Sequence, residues 1–174
     1  TALGRQALDA NTTANSNCAV GFQALTAATT GGGNVGMGVR ALSAITTNGN
    51  CVAVGFDALR YNTALDNTAI GSQALDTNTT GTDNTAVGRQ ALDANTTASM
   101  NTAVGRNSLK ANTTGYNNSA LGAHSLESCT TGEANTGIGC SALYTVTTGY
   151  SNTAVGREAL RNNTANNNTG VGMQ

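Results

Sequence analysis

NTAVGRQALDANTT, residues 84–97, is written again with small changes along the whole chain. It returns as NTAVGREALRNNTA at 152–165, and its glycine heads a column of Gly4, Gly21, Gly38, Gly55, Gly71, Gly88, Gly105, Gly122, Gly139, Gly156 and Gly172. The steps are 17 residues, except two of 16, and a leucine stands four residues after each of the first ten glycines, from Leu8 to Leu160. A fixed short period belongs to a stack of coils in which each unit touches its neighbours, not to a globule. Residues 1–174 therefore read as one repeat domain. Because residue 1 and residue 174 both fall inside a repeat, the expectation is a fragment of a longer fibrous protein.

Within the unit, Asn-Thr-Ala-Val alternates as a strand does. With Val87 pointing inward, Thr85 follows it and Asn84 and Ala86 face out. Glycine then turns the chain, since it tolerates positive φ. A second strand is expected from Ala91 to Thr97, with Leu92, Ala94 and Thr96 inward and Asp93, Asn95 and Thr97 outward. Five residues after each glycine the column runs from Asp9 to Arg161, and seven of its ten members are charged, against 10% for the chain, so it is expected in water. Both 16-residue steps lose their residue after the Thr column, at 63–67 and 164–168. Elsewhere that segment carries Gly, Asn and Asp, the residues of turns. The fold class expected is all-β: a parallel β-solenoid (β-roll) of about ten 16–17-residue coils, each made of strand, glycine turn, strand and polar turn. The Asn column before the strand and the Thr column from Thr12 to Thr164 are expected to stack as hydrogen-bonded ladders.

Composition narrows the function classes. Aromatic residues make up 3% of the 174, Pro and Trp are absent and the net charge is −1, so nothing electrostatic favours nucleic acid. No apolar run approaches the ~20 residues of a membrane span, so no membrane insertion is expected. Cys18, Cys51, Cys129 and Cys140 occupy four different columns, none facing another as a disulfide requires, and read as free thiols suited to assembly in a reducing cytosol. His124 is the one histidine and reads as a surface turn residue. Acidic residues are scattered singly, and 31–33 (Gly-Gly-Gly) lacks the Lys-Ser/Thr of a phosphate loop. Neither catalytic, cofactor-binding nor metal residues are assigned, no cofactor is implied and the chain is not read as an enzyme.

Each coil offers one Leu and one other large apolar residue, too little burial to offset the ordering of 17 residues comfortably. Packing against neighbouring chains is therefore expected, and the small column Ala19, Ala53, Ala69, Ala86, Ala103, Ala120 and Ala154 (with Gly36, Gly137 and Gly170) reads as the outward side on which a homotrimer closes.

The motif NTAVGxxAL, covering the whole chain, resembles the repeat arrays of bacteriophage and prophage tail fibres. It is also similar to the repeats in head domains of trimeric autotransporter adhesins. The resemblance implies a left-handed roll assembled as a trimer, serving as shaft or head of a virion tail fibre or an extracellular surface adhesin. It implies a rigid spacer that meets a host cell-surface glycan or protein, and transfers no binding residue. Contact is expected on the turn columns, where Phe22, Phe56, Tyr116 and Tyr150 stand. The alternative is an ice-binding solenoid, whose lattice would be Asn11, Asn62, Asn78, Asn95 and Asn112 beside Thr13, Thr80, Thr97 and Thr114.

Overall fold

The computed structural model describes residues 1–173. Eleven short strands, from β1 (Ala2–Leu3) and β2 (Cys18–Val20) through β6 (Thr85–Val87) and β7 (Thr102–Val104) to β11 (Thr169–Val171), form one parallel sheet in chain order. Pairing is in repeat register, with Thr85, Ala86 and Val87 beside Thr102, Ala103 and Val104. The Thr85 N–H donates to Asn101 O at 2.8 Å on one side, and the Gly88 N–H donates to Ile70 O at 2.7 Å on the other. The chain is a β-solenoid, and no helix is found among the described residues.

Each coil contains one strand rather than two. After the glycine, a turn closes from the Ala91 N–H to Gly88 O and a second from the Asn95 N–H to Leu92 O. Gln90 (φ 56°) and Leu92 (φ 52°) lie in the left-handed region, so Ala91–Thr97 cannot be extended. The segment still bonds rung to rung, as in Leu92 N–H to Ser108 O at 3.1 Å and Ala94 N–H to Lys110 O at 3.0 Å. A buried leucine held in the left-handed region costs on the order of 1 kcal/mol. The inward placement of its side chain and the rung hydrogen bond offset that cost.

The faces of the strand are the reverse of the expectation. Ala19, Ala53, Ala69, Ala86, Ala103 and Ala154 are fully buried, whereas Val87 and Thr85 lie outward and only half-covered. The reason is width. A Cβ built on Gly36 would stand 3.1 Å from Leu25 Cγ, and one on Gly137 2.6 Å from Ser125 Oγ. Between the sheet and the turns opposite there is room for one leucine and one methyl, so the inward column must be small. Leu25, Leu42, Leu59, Leu75, Leu92, Leu109, Leu126 and Leu143 form the fully buried spine, as the period predicts.

The interior also holds two asparagine columns that the alternation placed outside. Asn84 is 1% exposed and Asn95 0%. In the first column, Asn84 Oδ1 accepts from the Asn101 N–H at 3.0 Å while its Nδ2 donates to Ala98 O at 2.8 Å. This repeats from Asn17 to Asn152 except at Cys51, which stands in the column, takes the Asn34 amide oxygen on its own N–H and offers no oxygen to Asn67. In the second, Nδ2 of Asn78, Asn95 and Asn112 donates to Oδ1 of the asparagine one coil earlier at 2.7, 2.8 and 3.0 Å. The next member is Cys129, whose thiol donates to Gly132 O at 3.5 Å, so Asn112 Oδ1 is left buried without a partner. All four thiols are free, and burial pushes Cys129 up to about 11. The Thr ladder exists too, but its hydroxyls donate to the next Thr carbonyl, as Thr96 does to Thr113 at 3.2 Å, with breaks at Thr46 and Thr147, and the column is half-exposed or exposed, not interior.

Two outcomes follow from this geometry. Gly88 has φ 135°, and an added Cβ would meet the Gly105 carbonyl at 2.6 Å. Gly88→Ala is expected to lower stability by about 3 kcal/mol or more, whereas Gly172→Ala, strained equally but with nothing within 4 Å, loses only about 1 kcal/mol, both read by urea unfolding. Asn95→Val strips Asn78 and Asn112 of a partner at once and is expected to cost about 2–4 kcal/mol, read as a lowered melting temperature.

Candidate functional site

Two outer surfaces carry what chemistry the coil offers. The first is the free face of the sheet. Its column immediately before each glycine is apolar at every rung: Leu3, Val20, Met37, Val54, Ile70, Val87, Val104, Leu121, Ile138, Val155 and Val171. Met37 is 42% exposed, Leu121 51% and Val171 78%. Two residues earlier on the same face stand Thr68, Thr85, Thr102, Ser119, Thr136, Thr153 and Thr169. This stripe was legible in the sequence once the small column is placed inside, because its partner column is then forced outward. Reading small side chains as outward hid it.

The second surface is the corner after the glycine, where the columns two and five residues on run side by side. Arg40 grips buried Asp57 with both Nε and Nη2 at 2.7 Å, and Arg60 reaches Asp57 at 3.4 Å. Arg60 Nε lies 3.1 Å from Asp76 Oδ1, close enough for charge attraction, but its N–H does not aim at that oxygen and neither atom has a hydrogen-bond partner. The charged column is therefore not uniformly solvated: Asp76 is 5% exposed. Burial raises its carboxyl to about 6, with Asp57 and Asp93 adding repulsion and Arg60 and Arg40 opposing. Burial also raises Asp93, against the pull of Lys110.

Further along the same corner, His124 is half-buried instead of free. Arg106 donates to its Nε2 at 2.7 Å, which leaves Nδ1 to carry the proton and donate to Glu127. Both ring nitrogens are engaged, and Glu127 also accepts from Asn107 at 3.2 Å.

The aromatic residues of the turns are placed singly. Arg5 lies over Phe22 at 5.6 Å and Arg40 over Phe56 at 5.3 Å, so one ring face of each is covered by an arginine of the preceding coil. Tyr61 lies under Arg60 at 4.1 Å. Tyr116 and Tyr150 remain half-exposed on the polar turns, and the neighbouring Glu133 carboxylate raises the Tyr116 phenol above its ordinary value. The ice lattice read from the sequence does not form, because Asn62, Asn78, Asn95 and Asn112 are fully buried while Thr80, Thr97 and Thr114 stay outside. Among the described residues no three His, Cys, Asp or Glu gather to hold a metal ion. The 31–33 glycines lie in the polar turn.

Comparison with family models, with curated proteins and with solved structures gives no match.

The raised Asp76 carboxyl fixes a pH dependence. The folded chain holds this proton up to about pH 6, and the unfolded chain only to about 3.8, so the folded state binds more proton between them. Stability from this group is thus present below pH 4 and lost as pH rises through 6. Asp76→Asn is expected to stabilise by about 1–3 kcal/mol at pH 7–8, with the advantage shrinking toward pH 4. Thermal melts of both chains from pH 4 to 8 check this.

Proposed function

We propose that this chain is a shaft or head segment of a fibrous protein, a left-handed trimeric roll of the tail-fibre or surface-adhesin kind. It acts as a rigid spacer on a virion or cell surface. The observation that carries the reading is the uninterrupted run of eleven strands in chain order, locked by two buried asparagine ladders. At ~4.8 Å per rung such a stack spans ~48 Å. A repeat body of this kind has no single centre; its length and its surface are its assets. The turn columns, with Tyr116 and Tyr150 half-exposed, are the places where a host glycan or protein would be met, and many weak contacts at fixed spacing add by avidity.

The ice-binding alternative has lost four of its five lattice asparagines to the interior, Asn11 alone staying exposed. Two measurements on the purified chain separate the readings. Light scattering is expected to give near three times 17.3 kDa, with no thermal hysteresis during ice growth. A mass of 17.3 kDa at every concentration removes the trimeric shaft, and hysteresis puts the ice-binding reading in its place.

A further inference from the structure

We infer that the free face of the sheet is the surface along which copies of this chain meet, side by side, parallel and level rung for rung. The inference rests on the trimeric reading above and names its contact surface, which is the opposite face of the strand from the one the small-residue column suggested.

The charge distribution carries it. The chain has eight basic and nine acidic residues, and none lies on either outward column of the sheet. A face kept in water over eleven rungs has no reason to be free of charge while the corner beside it is crowded with it. Instead it shows a continuous apolar stripe along the whole stack, flanked by Cys18, Val35 and Val52 and then by hydroxyls from Thr68 to Thr169, all of which can be covered without stranding a charge.

The rims select the partner. Beyond the glycine, the first residue of the turn is arginine at Arg5, Arg89, Arg106 and Arg157, and no acid occurs in that column. On the other rim, just before the strand, the charged residues are Asp66, Asp83 and Glu133, with no base among them. Rotation about an axis parallel to the stack brings the basic rim of one copy against the acidic rim of the next, whether two or three copies share the axis. An antiparallel pairing would set each rim against its own kind. Arg89 and Asp83 flank the same strand, so level copies bring them to one height. Both are exposed, and neither has an ion-pair partner within the chain among the described residues.

Two columns ~6.6 Å apart over ~48 Å, with the width of the side chains added, offer ~600 Å² per chain. That equals the lower bound of a stable specific interface, at about 600 Å² a side, when one copy covers the face; three copies about one axis divide it between two neighbours and add the charged rims to each contact. A second copy also repeats its side chains at the same ~4.8 Å interval, so every rung meets an equivalent rung.

The test is sedimentation and light scattering of four chains over a range of concentration, with circular dichroism to confirm unchanged fold. They are the wild type, Val87→Thr/Val104→Thr, Asp83→Arg, and Asp83→Arg/Arg89→Asp. All substituted side chains point outward, so the coil is expected to fold in each. Wild type is expected to assemble. The Val→Thr pair is expected to need at least ~10-fold more protein to do so, a change of about 1.4 kcal/mol. Asp83→Arg weakens assembly, and the double swap restores it. If wild type assembles and the Val→Thr pair assembles equally well, the sheet face is not the contact and the shaft reading stands. If the swap fails to restore Asp83→Arg, the parallel, level arrangement is overturned. Wild type that stays a single chain at every concentration removes both readings.

Discussion

The narrowness of the coil governs everything else in this molecule. One leucine and one methyl fill the space between the sheet and the turns opposite, and where Ala gives way to Gly, as at Gly36, a methyl would already be tight against Leu25. The requirement fixes which face of each strand is inward, and it therefore pushes valine, isoleucine, leucine and methionine to the outside. An exposed apolar stripe is thus a consequence of a thin core, not an accident of composition. The same thinness leaves space beside the leucine spine that the asparagine amides fill.

Those amides solve a problem that a thin core creates. Tight turns on the far side leave carbonyls such as Ala98 O and Gly115 O facing inward, where water does not reach. Asn84 and Asn101 satisfy them with Nδ2 while tying the next coil with Oδ1. The second asparagine column does the same for the same carbonyls and adds amide-to-amide bonds between coils. That explains why the second column changes in blocks. Ala28 and Ile45 are neighbours, Asn62 to Asn112 are neighbours, and Cys129 and Val146 are neighbours. Inside the stack the amides run together and the unpartnered Asn112 Oδ1 marks where that block ends, while Asn11 and Asn163 stand singly near the two ends, where Asn163 turns to Asn152 of the first column instead.

The period, the leucine spine, the polar turns and the existence of ladders were all legible in the sequence, because each depends only on residues falling on their equivalents. Orientation was not. Alternation in NTAV says that Ala86 and Val87 face opposite ways, but not which is inside, and the usual preference for burying valine over alanine gives the wrong sign when the cavity is narrow. The second strand failed for a different reason. Gln90 and Leu92 take positive φ, which no propensity assigns to leucine, and only the rung-to-rung hydrogen bonds of the assembled stack make that worthwhile. With that segment turned instead of extended, Asn95 swings inward and Thr96 partly outward. The charged corner was half legible: its column was found, but Asp76 is buried because Arg60 and the neighbouring coils close over it.

The orientation of the strand can be tested by adding two methyl groups at one position. Ala86→Val, followed by the midpoint of urea unfolding, asks whether that side chain faces the narrow interior or the solvent. With Ala86 inside, overpacking is expected to cost about 1–3 kcal/mol or more and to lower the midpoint clearly. A midpoint equal to or above that of the unaltered chain would mean that the small column faces outward and that the core has been assigned to the wrong side of the sheet.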